Sequence, residues 1–285
     1  MRVLTGASTG KDLDETLAQA EAISWRAPYQ SSKTLRKQMN SGEMDFVDMH
    51  LSHVPQTVAE GFFGKVDFAV VEATEVTRDG RIYLSSSIGA SPTYLKYAEK
   101  VIVEINHFHS PRVSEMADIF ILPPPPHRSP IPIQHPLSRI GHPYASVDPN
   151  KIVAVIENNE PDDVGEFTPP DETSKKIADN VVNFLLREMH AGRIPPDFLP
   201  MQSGVGNVAN AVMAGMLENE EIPKFMVYTE VFQDALLDLM TAGKLIGAST
   251  TSLTLSPTRM KRLYDNMDFY GPRIVMRPQE LSNNP

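Results

Sequence analysis

Apolar positions along this chain fall mainly into short unbroken runs separated by helical or irregular spacers. "MDFVDMHL", "VDFAVVEATEV", "KVIVEINHF" and "KIVAVIE" each read as buried strands. Asp12 to Trp25 reads as a helix in which Leu13, Leu17, Ala20 and Ala22 share much of one face, and helical periodicity resumes from Thr173 to Met189. Beyond it come a glycine turn, a helix, the strand-like "KFMVY", another helix, then "KLIGAST" and "RIVMRP". The alternation predicts an α/β fold of two open-sheet domains, each built on a largely parallel sheet.

Breaks in the pattern divide the chain. "TRDGRI" around Gly80 is a turn signal, and "ILPPPPHRSPIPIQHP" can sustain neither a helix nor a central strand, so it reads as a rigid surface excursion. The acidic, proline-rich "ENNEPDDVGEFTPPDE", residues 157–172, marks a domain boundary. One α/β domain is therefore expected over 1–160 and a second over 173–285. The final "RIVMRPQELSNNP" passes from a strand into a turn and stops. A longer polypeptide is the expectation, with the first domain lacking its start and the second its end.

Composition narrows the chemistry. A formal charge of −10 over 285 residues argues against a non-specific grip on nucleic acid or an anionic membrane. Cysteine is absent, which excludes disulfides, thiolate nucleophiles and thiolate metal ligands. No apolar run has the length of a membrane span, and "MRVLTGASTGKDLDETL" lacks the apolar core of a signal peptide. A cytoplasmic protein is expected.

Two stretches carry candidate chemistry. In "LPMQSGVGNVANAVMAGML", Gly204 and Gly206 precede a helix over Ala209 to Leu217. Backbone N–H groups there can meet a phosphate or an amide, or the glycines can serve a tight turn with close helix packing. The pattern is neither a dinucleotide fingerprint nor a P-loop. In "KFMVYTEVFQDALLDLM", Glu230 follows the end of a strand, where ligands of open α/β sheets gather. A helix starting just after it would favour its ionised form; an exposed glutamate at a helix start is the plain alternative. His107 and His109 lie two apart and would share a strand face, but a metal site needs a third ligand from elsewhere, and no metal is assigned. In "GASTTSLTLSP", Ser249 and Thr250 are the hydroxyls expected to face a cleft, while Ser256 before Pro257 reads as a helix cap.

Taken together, "LPMQSGVGNVANAVMAG", "VYTEVFQDALLDLM", "GASTTSLTLSP" and "RIVMRPQELSNNP" resemble the acetyl-CoA hydrolase/transferase family of class I CoA-transferases. "VDFAVVEATEVTRDGRI" and "FTPPDETSKKIADNVVNFL" are similar to it as well, so the resemblance spans essentially the whole chain. It implies a pair of open-sheet α/β domains with the active site between them. It implies that Glu230, the glutamate of the family's "YTE" motif, is the nucleophile. Gly204, Val205, Gly206, Asn207 and Val208 then correspond to the CoA-binding turn, and Asn283, with Asn284 as its neighbour, to the active-site asparagine. A later glycine loop and a second glutamate of the family have no counterpart in these residues.

The implied reaction moves coenzyme A from a short acyl-CoA, such as succinyl-CoA or acetyl-CoA, to a carboxylic acid such as acetate. It runs through an acyl-glutamyl anhydride and then a glutamyl-CoA thioester. Coenzyme A is a substrate, with no metal or prosthetic group required, and a homodimer is the family-level expectation. Hydrolysis of an acyl-CoA by the same glutamate and a non-catalytic CoA-binding or assembly role are the alternatives. The acid argues against the second, because binding alone has no need of a carboxylate beside a thioester.

Overall fold

A computed structural model describes residues 1–10, 12–164 and 170–284. The composition break at 157–172 lies partly outside the described residues, as do the first three residues of "FTPPDE" and the closing proline. The chain divides into two compact units. The first comprises Met1–Ile131, Gly141–Gly165 and Arg277–Pro285, and the second comprises Pro132–Ile140 and Glu166–Met276.

The first unit opens with three short parallel strands in spatial order, β1 (Arg2–Leu4), β2 (Trp25–Ala27) and β3 (Asp45–Phe46). Helices α1 (Asp12–Gln19) and α2 (Lys33–Ser41) connect them. Ala18, Ile23, Leu35 and Met44 form their core. The expected helix over Asp12 to Trp25 is thus shorter, and its face is different. Asp14 and Ala18 point inward, while Leu13 is 60% exposed. The cause is an ion pair: Arg26 of β2 donates through Nε and an NH2 group to both oxygens of Asp14 at 3.1 Å, with neither side chain exposed. Bringing Asp14 to that partner turns Leu13 to solvent. "MDFVDMHL" contributes only the two paired residues of β3.

The main sheet of this unit has the order β7-β5-β4-β6-β8. Its strands are β4 (Val66–Val76), β5 (Arg81–Leu84), β6 (Ala98–Asn106), β7 (Ala145–Ser146) and β8 (Ile152–Asn158). β4, β6 and β8 run parallel, whereas β5 and β7 pair antiparallel, joined to β4 by the turn at Gly80. Gly80 sits at φ +80°, and a Cβ there would lie 2.0 Å from the Val147 carbonyl oxygen, so no other residue fits. α3 (Val54–Ala59) and α4 (Ser91–Tyr97) belong to this unit. The proline segment forms no helix or strand, as its composition requires.

The second unit begins with α5 (Glu172–His190), whose N-cap Asp171 accepts from Ser174 N–H at 2.7 Å. α6 (Asn207–Glu218) packs on it through Gly215, where a Cβ would stand 3.4 Å from Val182 and 3.9 Å from Ala178. Three parallel strands follow in spatial order β13-β11-β9: β9 (Phe225–Tyr228), β11 (Leu245–Thr250) and β13 (Ile274–Met276). A separate parallel pair joins β10 (Val231–Gln233) to β12 (Ser252–Thr254). Helices α7 (Asp234–Thr241), α8 (Pro257–Asp265) and α9 (Met267–Tyr270) complete the unit. Phe225, Phe232, Leu236, Leu237, Leu245 and Ile274 are among its fully buried residues.

The chain then returns to the first unit with α10 (Gln279–Ser282). Arg277 enters it through a fully buried ion pair with Asp118, whose other oxygen accepts from Gly141 N–H at 2.7 Å. Gln279 donates from its backbone to the Gly89 carbonyl and from Nε2 to the Leu51 carbonyl, each at 2.9 Å. Among the described residues, no helix is long and apolar enough to cross a membrane.

Candidate active site

Glu230 occupies the bend between β9 and β10. β9 ends at Tyr228, as the run "FMVY" anticipates, but three residues of β10 intervene before α7 starts at Asp234. β10 thus separates Glu230 from the helix start along the chain, and Val231 lies on a strand rather than on the helix face. Burial governs instead. It pushes the Glu230 carboxyl above the usual glutamate range, because a half-buried charge loses hydration. Its Oε1 is buried and has no hydrogen-bond partner among the described residues. A glutamate that merely started a helix in solvent would have neither property.

The backbone around this acid is held firmly. The Glu230 carbonyl accepts from Thr251 N–H and Thr250 Oγ1–H, each at 2.8 Å, and from Ser252 N–H at 3.3 Å. Thr229 N–H donates to the Ser249 carbonyl at 2.9 Å. Ser249 and Thr250, expected at a cleft surface, are instead fully buried, and Thr250 spends its hydroxyl on fixing the Glu230 turn. Ser256 does precede α8 as its N-cap, with Pro257 at the first position, but its hydroxyl makes no capping bond.

The glycine stretch lies in the same unit. Residues 204–208 are exposed, Gly206 has φ +123° and stands as the N-cap of α6, and it brings no side chain to cap the helix. A Cβ at Gly204 or Gly206 would meet nothing within 4 Å. Close helix packing is needed at Gly215 but not at these two glycines. What Gly206 supplies is the left-handed backbone that opens the first turn of α6, whose N–H groups of residues 207 and 208 have no intrahelical acceptor.

Asn283 belongs to the first unit and follows α10 directly. Its Nδ2 is buried without a hydrogen-bond partner among the described residues. The backbone of the segment is pinned by Arg277 and Gln279, and Glu280 accepts from Leu122 N–H at 3.2 Å. Burial pushes the Glu280 carboxyl up to about 7, and that backbone donor and the charges of Arg128 and Lys96 oppose the rise. Buried polar atoms without a protein partner are uncommon in folded proteins and are completed by water, an ion or a ligand. Glu230 and Asn283 each carry one among the described residues, as do Gln30, Ser256 and Ser282.

The two histidines behave differently from expectation. β6 ends at Asn106, so His107 and His109 leave the strand and do not share a face. His107 is exposed beside Glu157. The His109 ring is buried, with Nε2 3.1 Å from Glu72 Oε1 and 3.5 Å from Asp162 Oδ1. Glu72 also accepts from Ser85 Oγ–H and from Asn106 Nδ2 at 2.8 Å. These three groups are close enough to bracket a metal ion. Burial opposes charge on the imidazole, but hydrogen bonding to Asp162 and Glu72 outweighs it and raises His109 to about 9. The imidazolium thus already supplies a positive charge between the two acids. Sequence spacing could not find Glu72 and Asp162, since one reaches His109 from within β4 and the other from the loop after β8.

Comparison with known proteins gives the family. The family defined as "Acetyl-CoA hydrolase/transferase N-terminal domain" matches residues 1–157, and the chain belongs to the acetyl-CoA hydrolase/transferase family. It is 53% identical to the propanoyl-CoA:succinate CoA transferase of Escherichia coli over 285 residues, covering all of this chain and 58% of that protein. It is 42% identical to the succinyl-CoA:acetate CoA-transferase of Clostridium kluyveri, covering 99% of this chain and 52% of that one. The acetyl-CoA hydrolase of Schizosaccharomyces pombe is 40% identical, with 100% and 55% covered. The chain thus spans just over half the length of these relatives. Among solved structures, the 4-hydroxybutyrate CoA-transferase of Porphyromonas gingivalis shares the fold, with TM-score 0.60 at 17% identity over 100% of this chain and 65% of that one.

Proposed function

We propose that this chain carries the nucleophile of a CoA-transferase, and that Glu230 is that nucleophile. The observation that carries the reading is the half-buried Glu230 carboxyl with an unpartnered oxygen, at a turn whose two neighbours hold the glycine stretch. A carboxylate stripped of solvent partners is a better nucleophile than a hydrated one, provided it is ionised.

In the proposed sequence Glu230 attacks the acyl-CoA carbonyl, and collapse of the adduct expels CoA thiolate and leaves an acyl-glutamyl anhydride. The thiolate attacks the glutamyl carbonyl of that anhydride, the donor acid leaves as its carboxylate, and glutamyl-CoA remains. An acceptor carboxylate attacks the glutamyl-CoA carbonyl and expels CoA thiolate, giving a second acyl-glutamyl anhydride; the thiolate then attacks the acceptor-derived acyl carbonyl, and the Glu230 carboxylate leaves as the new acyl-CoA forms. The N–H groups of Gly204 to Val208 would hold the CoA chain, and the Asn283 amide would hydrogen-bond an oxyanion. An aimed donor of that kind lowers such barriers by about 3–4 kcal/mol. Glu230 and Asn283 are the proposed catalytic residues. The substrates are a short acyl-CoA and a short carboxylic acid, in keeping with the names of the transferase relatives. Water is the competing acceptor, and its access to glutamyl-CoA separates transferase from hydrolase.

The test is direct. Full-length protein incubated with succinyl-CoA should gain a CoA adduct on Glu230 by mass spectrometry and should yield acetyl-CoA when acetate is added. Free thiol released independently of any acid would move the assignment to a hydrolase, and an unmodified Glu230 with no turnover would end the reading.

A further inference from the structure

The segment before the glycine turn meets β9 through a single parallel bridge, Met201 to Val227. Met201 N–H donates to the Met226 carbonyl at 2.9 Å, and Tyr228 N–H donates to the Met201 carbonyl at 2.8 Å. The backbone ladder stops there, because β9 ends at Tyr228. Two side chains then carry it further. Thr229 Oγ1–H donates to the Ser203 carbonyl at 2.8 Å, and Gln233 Nε2 donates to the Gly204 carbonyl at 2.8 Å. Thr229 has no exposure and Gln233 has 4%, so both donors are withdrawn from bulk water; the Thr229 bond is buried and the Gln233 bond, to the exposed Gly204, is partly so.

These donors immediately bracket Glu230 in sequence, one residue before it and three after. Their acceptors are the two carbonyls that lead into the exposed glycine turn. In a trans peptide the next N–H points away from the carbonyl, so these two bonds direct the Gly204 and Val205 N–H groups away from the Thr229 and Gln233 side chains.

We propose that Thr229 and Gln233 are positioning residues, forming a two-point clamp that sets the distance between the Glu230 carboxylate and the backbone amides of the glycine turn. The inference rests on the reading of Glu230 as the nucleophile and of residues 204–208 as the CoA cradle. The clamp ties thioester placement to nucleophile placement, so that a CoA chain held by the turn presents its carbonyl to Glu230 in register. Neither side chain touches the reacting atoms. Its effect belongs to kcat, through geometry, since displacement of about 1 Å costs on the order of 10²-fold in rate.

The experiment uses full-length protein with Thr229→Val, Gln233→Met, Thr229→Ser and the double Thr229→Val/Gln233→Met. Transfer from succinyl-CoA to acetate is followed together with the glutamyl-CoA adduct and the melting temperature. The clamp requires kcat to fall about 10–10²-fold in each of Thr229→Val and Gln233→Met, with a smaller change in the KM for succinyl-CoA. It also requires Thr229→Ser, which keeps the donor, to stay near wild type. Wild-type kcat in both donor-less variants, with the wild-type adduct present, overturns the clamp alone. So does a loss in Thr229→Ser equal to that in Thr229→Val, which would assign the effect to packing. If wild type forms no adduct, the nucleophile reading falls and the clamp falls with it. Should Thr229→Val not fold, the near-isosteric Gln233→Met carries the same comparison.

Discussion

Replacing Glu230 with glutamine exchanges one oxygen for an amide nitrogen, keeps the side-chain volume and removes the charge. In the folded chain that charge is half-buried, its Oε1 has no partner among the described residues, and the carboxyl is pushed up by desolvation. The ionised form is therefore disfavoured by the fold through desolvation of the charge itself, which the glutamine amide does not carry. The sign is fixed by linkage. Because the folded carboxyl binds its proton more tightly than the unfolded one, wild-type stability falls as pH rises through the interval from the ordinary glutamate value to the raised one, then stays lower. Glu230→Gln lacks that loss. At pH 7.5 it should melt at or above the wild-type temperature, by roughly 2–4 °C for each kcal/mol recovered, while below pH 4 the two should converge. CoA transfer should vanish in the same variant. Differential scanning calorimetry across pH 4 to 8, paired with a turnover assay, reads both. A variant that melts well below wild type at pH 7.5 would show that the carboxylate is a satisfied structural group, and the reasoning would be refuted.

Two further outcomes test the other unit. His109→Gln should remove stability that the imidazolium supplies. Since its pKa is raised to about 9, that contribution is full below about 6.5, reaches on the order of 3 kcal/mol, and is lost as pH rises through 9. Urea denaturation at pH 6 and pH 10 should show the variant's deficit shrinking at the higher pH. Arg277→Met leaves Asp118 buried without its ion-pair partner and should cost about 3–5 kcal/mol, read by the same method. Adding Asp118→Asn should recover part of that loss.

Much of the scaffold was legible before any coordinates. The run "VDFAVVEATEV" coincides with β4 from Val66 to Val76, and Thr173 to Met189 lies within α5, because a valine-rich run without glycine or proline favours a strand and a long helical period favours a helix. The glycine turn before α6 and the end of β9 just ahead of Glu230 followed from the same local rules, with the family resemblance supplying the roles. Other features depend on partners far along the chain. The inward turn of Asp14 requires Arg26 on a neighbouring strand, and the burial of His109 requires Glu72 and Asp162. Likewise, Thr250 was read as a cleft hydroxyl, although its partner proved to be the Glu230 carbonyl.

The sequence by itself determined where strands and helices form, where the chain must turn, and which acid stands at a strand end, since propensity, periodicity and glycine geometry act within a few residues. Tertiary structure alone decided which polar groups would be satisfied and which left bare. Desolvation and hydrogen-bond satisfaction depend on what packs around a group, and for Glu230 that surrounding raised its carboxyl and left one oxygen unpaired.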